Sequence, residues 1–179
     1  LGNDGCGTAD YFGLKEEIDF TVGTLSKAIG AEGGFVSTSS IAKNYLLNNA
    51  RSFIFQTALS PSAIEAAREG ISIIQNEPER RKQLLKNAQY LRLKLEESGF
   101  VIKEGETPII SLIIGGSHEA MQFSAKLMDE GVFIPAIRPP TVPKGSSRLR
   151  ITVMATHTIE QLNMVISKIK KIGKEMGIV

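Results

Sequence analysis

The sequence predicts an α/β chain in two parts, with a smaller α+β domain at the carboxy-terminal end. Three observations carry that reading. Apolar, β-branched runs near the start are followed by helix signals, a long helical repeat opens at a proline near the middle, and short alternating strands interleaved with helices come after it. A length of 179 residues suits one large domain or two small ones, and the division is placed between residues 1–77 and 78–179. With 42% hydrophobic, 22% charged and 6% aromatic residues, the composition is that of a globular chain and lacks the signature of disorder.

Residues 18–25 read IDFTVGTL, apolar and β-branched enough for a buried strand, and residues 34–37 restart as a second strand after SKAIGAEGG. The polar residues between them are thereby presented at a strand end. Ser40 is expected to cap a short helix running to Ala50, and FIFQTALSP then leads to a helix starting at Pro61, where proline suits the first turn. Another helix starts at Pro78. Along it Leu84, Ala88, Leu91 and Leu95 recur at helical spacing, and Gly99 is the stop signal. Strands are expected at 100–103, 109–114 and 132–137, with a helix over 117–130 between the last two, which describes a separate α+β lobe. RPPTVPKGSSR is a rigid loop, because proline lacks the amide donor of a central strand and pushes its predecessor away from helix. Residues 148–154 alternate strictly, and Thr158 and Gln161 occupy capping-box positions at the start of a closing helix.

Several function classes are excluded. A net charge of +2, with Lys and Arg interspersed among Glu, gives no electrostatic footprint for nucleic acid. No apolar run reaches the length of a membrane span. The one cysteine, Cys6, excludes an internal disulfide and any multi-cysteine metal site, and fits a reducing cytoplasm. The chain opens in LGNDGCGTADYFGL with no initiator methionine, which reads as the interior of a longer polypeptide.

Two patterns bear on chemistry. GTLSKAIG places Lys27 directly after a strand, with hydroxyl residues before it and a glycine after it. An aldehyde cofactor needs such an amine on a fixed backbone, and hydroxyls and amides nearby suit a phosphate. Spacing alone leaves an ordinary surface lysine in a turn as the plainer reading. The turn is not a P-loop, and Gly5-Cys6-Gly7 lacks the third glycine of a dinucleotide fingerprint. In the strand from Arg148, period-two geometry puts Arg148, Arg150 and Thr152 on one face, where two guanidinium groups suit a carboxylate or phosphate; a solvated sheet face fits equally. His118 and His157 read as structural residues at a helix start and a turn.

Read together, GTADYFGL, GTLSKAIGAEGG, FIFQTALSP, AIRPPTVP and RLRITVMATHT resemble the α-oxoamine synthases over essentially the whole chain. The resemblance implies part of the large domain of a fold-type I pyridoxal 5′-phosphate (PLP) enzyme over 1–77 and its small carboxy-terminal domain over 78–179. It implies that Lys27 binds the cofactor covalently, that Thr24 is a phosphate ligand, and that Thr57 reaches the phosphate held by the other subunit of a homodimer. Arg150 is implied to bind the carboxylate of an amino acid whose co-substrate is an acyl-CoA. Cys6 and Gln56 depart from the common pattern, where arginine and a hydroxyl residue are usual. The family's ring-pairing aspartate and ring-stacking histidine have no counterpart here, so the isolated chain is expected to be inactive; a non-catalytic dimerisation role is the alternative of another class.

Overall fold

The two apolar runs near the start pair with each other: β1 (Phe20–Thr24) runs antiparallel to β2 (Gly34–Thr38), with Val22 opposite Val36 and Thr24 opposite Gly34. The structure is a computed structural model that describes residues 1–2 and 4–179. They divide into two compact units, Leu1–Pro78 and Glu79–Val179.

In the first unit, the one-turn helix α1 (Thr8–Tyr11) and a 3-10 turn at Lys15–Glu17 precede β1, while α2 (Ser40–Asn49), α3 (Arg51–Ile54) and α4 (Pro61–Asn76) follow β2. Ser39, and not Ser40, caps α2. Its backbone is still extended and its hydroxyl accepts from the Ala42 amide at 3.3 Å, whereas Ser40 is already helical. Ser60 caps α4 in the same way, accepting from the Ala63 amide, and Pro61 takes the first helical position, where no amide bond is lost. The expectation of a buried β1 is corrected. Phe20 is 52% and Val22 76% exposed, and Phe35 on the other face of the ribbon is 44% exposed. Apolar, β-branched composition selects the strand conformation, but a two-stranded ribbon has two faces and both stay open here.

The second unit is built on α5 (Pro78–Glu96), β3 (Ile109–Gly115), α6 (Ser117–Asp129), β4 (Ala136–Ile137), β5 (Ser147–Thr152) and α7 (Ile159–Glu175). Its sheet is antiparallel in the order β3–β5–β4, with Ile110 opposite Ile151 and Leu112 opposite Leu149. Those four side chains are buried and join Leu91 and Leu95 of α5, Phe123 and Leu127 of α6, and Ile169 and Ile172 of α7 in one core cluster. The helical repeat read from the sequence is the face of α5 that enters this core. Gly99 ends that segment with φ +89°, and the Phe100 amide returns to the Leu95 carbonyl. Thr158 and Gln161 form both bonds of the capping box that opens α7.

Two expected strands are shorter than predicted. Of 132–137 only Ala136–Ile137 pairs, because Pro135 has no amide to give and contributes only its carbonyl, to the Arg150 amide. Of 100–103 there remains a single bridge, Ile102 to Leu112, flanked by the bonds from the Lys103 amide to the Ser111 carbonyl and from the Ile113 amide to the Val101 carbonyl; past it the Arg92 guanidinium donates to the Lys103 and Thr107 carbonyls. Among the described residues, no helix is long and apolar enough to cross a membrane.

Candidate functional site

Lys27 sits in the loop joining β1 to β2, and backbone bonds on both sides close that loop. The Leu25 amide donates to the Gly33 carbonyl at 2.9 Å, the Ala31 amide to the Leu25 carbonyl at 2.8 Å, and the Gly30 amide to the Lys27 carbonyl at 3.1 Å. Gly30 turns the chain with φ +74°, a conformation that suits glycine. Leu25, two residues before the lysine, is buried and anchors the loop. The Lys27 amine is exposed and makes no hydrogen bond or ion pair among the described residues, and the hydroxyls of Thr24 and Ser26 are likewise uncommitted. Among the described residues the amides of Ser26, Lys27 and Ala28 have no acceptor either.

Two contacts seat this loop from behind. A β-carbon placed on Gly33 would lie 2.8 Å from Leu59 Cδ1 and 3.4 Å from Leu25 Cδ1, so the two leucines close over a glycine that has no side chain to separate them. A β-carbon on Gly70 of α4 would fall on the Ile29 carbonyl oxygen, 3.0 Å from Ile29 Cγ2. Helix α4 turns its small residues inward at Ala63, Ala67 and Gly70, spaced four and three apart, and the loop backbone rests against the last of them. The sequence reading did not single out Leu59 or Gly70; the small-residue spacing along α4 was the available signal.

Thr57 is exposed in the connection between α3 and α4, two residues before Leu59, so its segment lies beside the lysine loop of its own chain. Arg150 belongs to the second unit. On β5 the alternation is as expected: Leu149 and Ile151 are buried, Arg150 and Thr152 are exposed, and Arg148 is half-buried. The arginines differ in commitment. Arg148 Nε donates to the Ser146 carbonyl at 3.0 Å, while the Arg150 guanidinium makes no hydrogen bond or ion pair among the described residues. His157 Nδ1 accepts from the Met154 amide at 3.3 Å, a structural use in the turn before α7. Cys6 is exposed.

These groups fit PLP at one end. A primary amine on a braced loop meets the need of an aldehyde, and free hydroxyls with uncommitted amides meet the need of a phosphate dianion. The residues described contain no partner assigned to the ring nitrogen or ring face.

Residues 3–169 match the aminotransferase class I and II family. The chain is 98% identical over 179 residues to an 8-amino-7-oxononanoate synthase of Lysinibacillus sphaericus, covering all of this chain and 46% of that protein. It thus spans about half the length of the curated relatives it matches. Among solved structures, a serine palmitoyltransferase from S. paucimobilis with bound PLP and myriocin superposes at TM-score 0.94 with 30% identity, over all of this chain and 46% of the other. An 8-amino-7-oxononanoate synthase from Francisella tularensis superposes at 0.84 with 25% identity, over 98% of this chain and 52% of the other. These likenesses agree with the α-oxoamine synthase motifs and with a fold-type I PLP architecture. The chain belongs to the aminotransferase class I and II family.

Proposed function

We propose that this chain is part of an 8-amino-7-oxononanoate synthase, a PLP-dependent acyltransferase of biotin synthesis that joins L-alanine to pimeloyl-CoA with loss of CoA and carbon dioxide. The observation that carries the reading is the 98% identity to the Lysinibacillus sphaericus enzyme across the whole chain. The AIRPPTVP segment at 136–143 points the same way from the sequence.

In this reading Lys27 Nζ holds the cofactor covalently, and the closed β1–β2 loop fixes where that nitrogen stands. Thr24 donates to the cofactor phosphate, and Thr57 reaches the phosphate bound by the second subunit of a homodimer. Arg150 grips the amino-acid carboxylate through its planar fork, which its freedom from other partners permits. When bound, PLP supplies the electron sink that stabilises negative charge at the amino-acid α-carbon. Lys27 Nζ, once freed by the incoming amino acid, removes the proton from that carbon and later returns one. The cytoplasm is the compartment of this reading, in keeping with a lone exposed cysteine.

The test uses a polypeptide of the relatives' full length, loaded with PLP. Borohydride reduction followed by peptide mapping should place the pyridoxyl group on Lys27, and the enzyme should turn over L-alanine with pimeloyl-CoA. Labelling of a different lysine overturns the residue assignment. Turnover of glycine with acetyl-CoA in preference to L-alanine with pimeloyl-CoA would make it a glycine C-acetyltransferase instead. Activity in the 179-residue chain alone would overturn the half-site reading.

A further inference from the structure

Across the sheet, Arg150 stands directly opposite Ser111 of β3. Their backbone groups turn away from each other: the Ser111 carbonyl accepts from the Lys103 amide at 2.9 Å, and the Arg150 amide donates to the Pro135 carbonyl at 3.0 Å. They are therefore a non-hydrogen-bonded antiparallel pair, the kind whose α-carbons approach to about 4.5 Å and whose side chains lie closest. Both project from the face opposite the core, since their neighbours Ile110, Leu112, Leu149 and Ile151 are the buried ones.

Ser111 is half-buried, and its hydroxyl makes no hydrogen bond among the described residues. The other hydroxyl on this strand face, Thr152, pairs with Ile109 and lies about 6.5 Å along the chain from Arg150. Arg148 faces the hydrocarbon of Ile113 and spends its Nε on the Ser146 carbonyl. Of the two arginines on this face, Arg150 alone combines an uncommitted guanidinium with an uncommitted hydroxyl directly across the ladder. A carboxylate offers about four lone-pair sites, of which a bidentate guanidinium fills two. A neighbouring hydroxyl has an acceptor left to it.

Building on the assignment of Arg150 to the substrate carboxylate, we propose that Ser111 is a second ligand of that carboxylate, donating its hydroxyl hydrogen beside the Arg150 fork. The pair then fixes the orientation of the carboxylate plane as well as its position, because one donor set comes from each strand.

The experiment uses the full-length holoenzyme and reads the KM for L-alanine, the KM for the acyl-CoA and the cofactor absorption of each variant. Ser111→Ala should raise the L-alanine KM about tenfold, the loss of one hydrogen bond to a charged group, while the acyl-CoA KM moves little. Ser111→Thr, which keeps the hydroxyl, should recover most of the loss. In an Arg150→Ala background the same serine substitution should add less than threefold, because the two donors share one ligand. If Arg150→Ala raises the L-alanine KM and Ser111→Ala does not, the Ser111 role is wrong and the carboxylate reading stands. If Arg150→Ala leaves that KM unchanged, the carboxylate reading itself falls. Unaltered cofactor absorption in Ser111→Ala separates a substrate effect from misfolding, and equal losses in Ser111→Ala and Ser111→Thr would show that packing, and not the hydroxyl, matters.

Discussion

The two units solve the burial problem in opposite ways. Among the described residues, Glu79–Val179 contains every buried apolar side chain except Leu25 and Ala67, and its core runs without interruption from α5 through the sheet to α7. Leu1–Pro78 has a strand pair, three helices after it and a closed loop at Lys27, yet Val22, Ile41 and Phe55 are each more than three-quarters exposed. The strand pair and the caps of α2 and α4 thus form in a unit that has almost no interior of its own. Local signals shape an element; stability comes from apolar area removed from water. In the proposed function, the open faces of the first unit are those that the rest of the full-length enzyme covers, and Lys27 stands in that unit.

The widest gap between the units should show in hydrogen exchange on the 179-residue chain. Amides of Ile110, Leu112, Leu149 and Ile151 should exchange at least about a thousandfold more slowly than those of Gly23 and Phe35, which face each other as a hydrogen-bonded pair, since opening β1 and β2 costs little where no core is lost. Both sets belong to antiparallel ladders, so the contrast isolates the core from the hydrogen bond. Equal protection would break the comparison. Next in size is a core truncation: Phe123→Ala should cost about 3–5 kcal/mol in chemical denaturation followed in the second unit. Phe123 is fully buried and meets Phe100 at 6.4 Å between ring centroids. Val22→Ala in the same chain should cost less than about 0.5 kcal/mol, as a surface change does. A large loss there would mean that the ribbon has a cover in this chain.

Smaller again is the one buried amide of the second unit. Asn87 Nδ2 donates to the carbonyls of Met154, at 3.1 Å, and His157, at 3.0 Å, while its Oδ1 accepts from Gln83 at 2.8 Å. It ties α5 to the turn before α7, and the Asn87→Ala variant should lose about 1–3 kcal/mol by leaving the His157 carbonyl unpaired and the Met154 carbonyl with the His157 amide alone. Loss of the turn signals without loss of stability would show that water replaces it.

Much of this was legible in the sequence because the signals were local. Pro61, Gly99, Thr158 and Gln161 announce helix ends through side chains that act within one turn, and the alternation after Arg148 identifies the buried face of β5. Lys27 was singled out by the joint match to the α-oxoamine synthase motifs, since its own spacing left an ordinary surface lysine as the plainer reading. What failed was non-local. The exposure of β1 depends on what lies over a sheet, which β-branched composition cannot encode. The shortening of β4 follows from one missing amide at Pro135, and the segment after Gly99 keeps only one bridge, at Ile102, to β3. Gly70 and Ser111 stand against residues 41 and 39 positions away, Ile29 and Arg150, and only coordinates bring those pairs together.

The smallest effect concerns a pair of ions that fastens α6 to α7 inside the second unit. Glu130, at the end of α6, accepts from Lys171 Nζ at 2.8 Å, with Lys168 Nζ 3.9 Å from its other oxygen; Lys168 also donates to the Glu130 backbone carbonyl. The hydrogen bond from Lys171 comes first, and its charge second, in holding the Glu130 carboxyl below the usual range, and the same bond raises Lys171 above its own. A carboxyl with a lowered folded pKa stabilises fully above its unfolded value, near 4.3, and loses that contribution as pH falls through the lower folded one. For Lys171 the contribution is full below about 10.4 and disappears as pH rises through its raised value. Between those limits the pair is intact. Glu130→Gln should therefore be slightly less stable than the native chain at pH 7, and the gap should close as pH falls below about 4 and shrink in high salt. The backbone bond from Lys168 survives the substitution, so the interface persists and only the charge is removed. The change should register in the second unit's unfolding transition while leaving exchange at Gly23 and Phe35 as it was. A gap of equal size at pH 3 and pH 7 would show that Glu130 acts through packing and not through its charge.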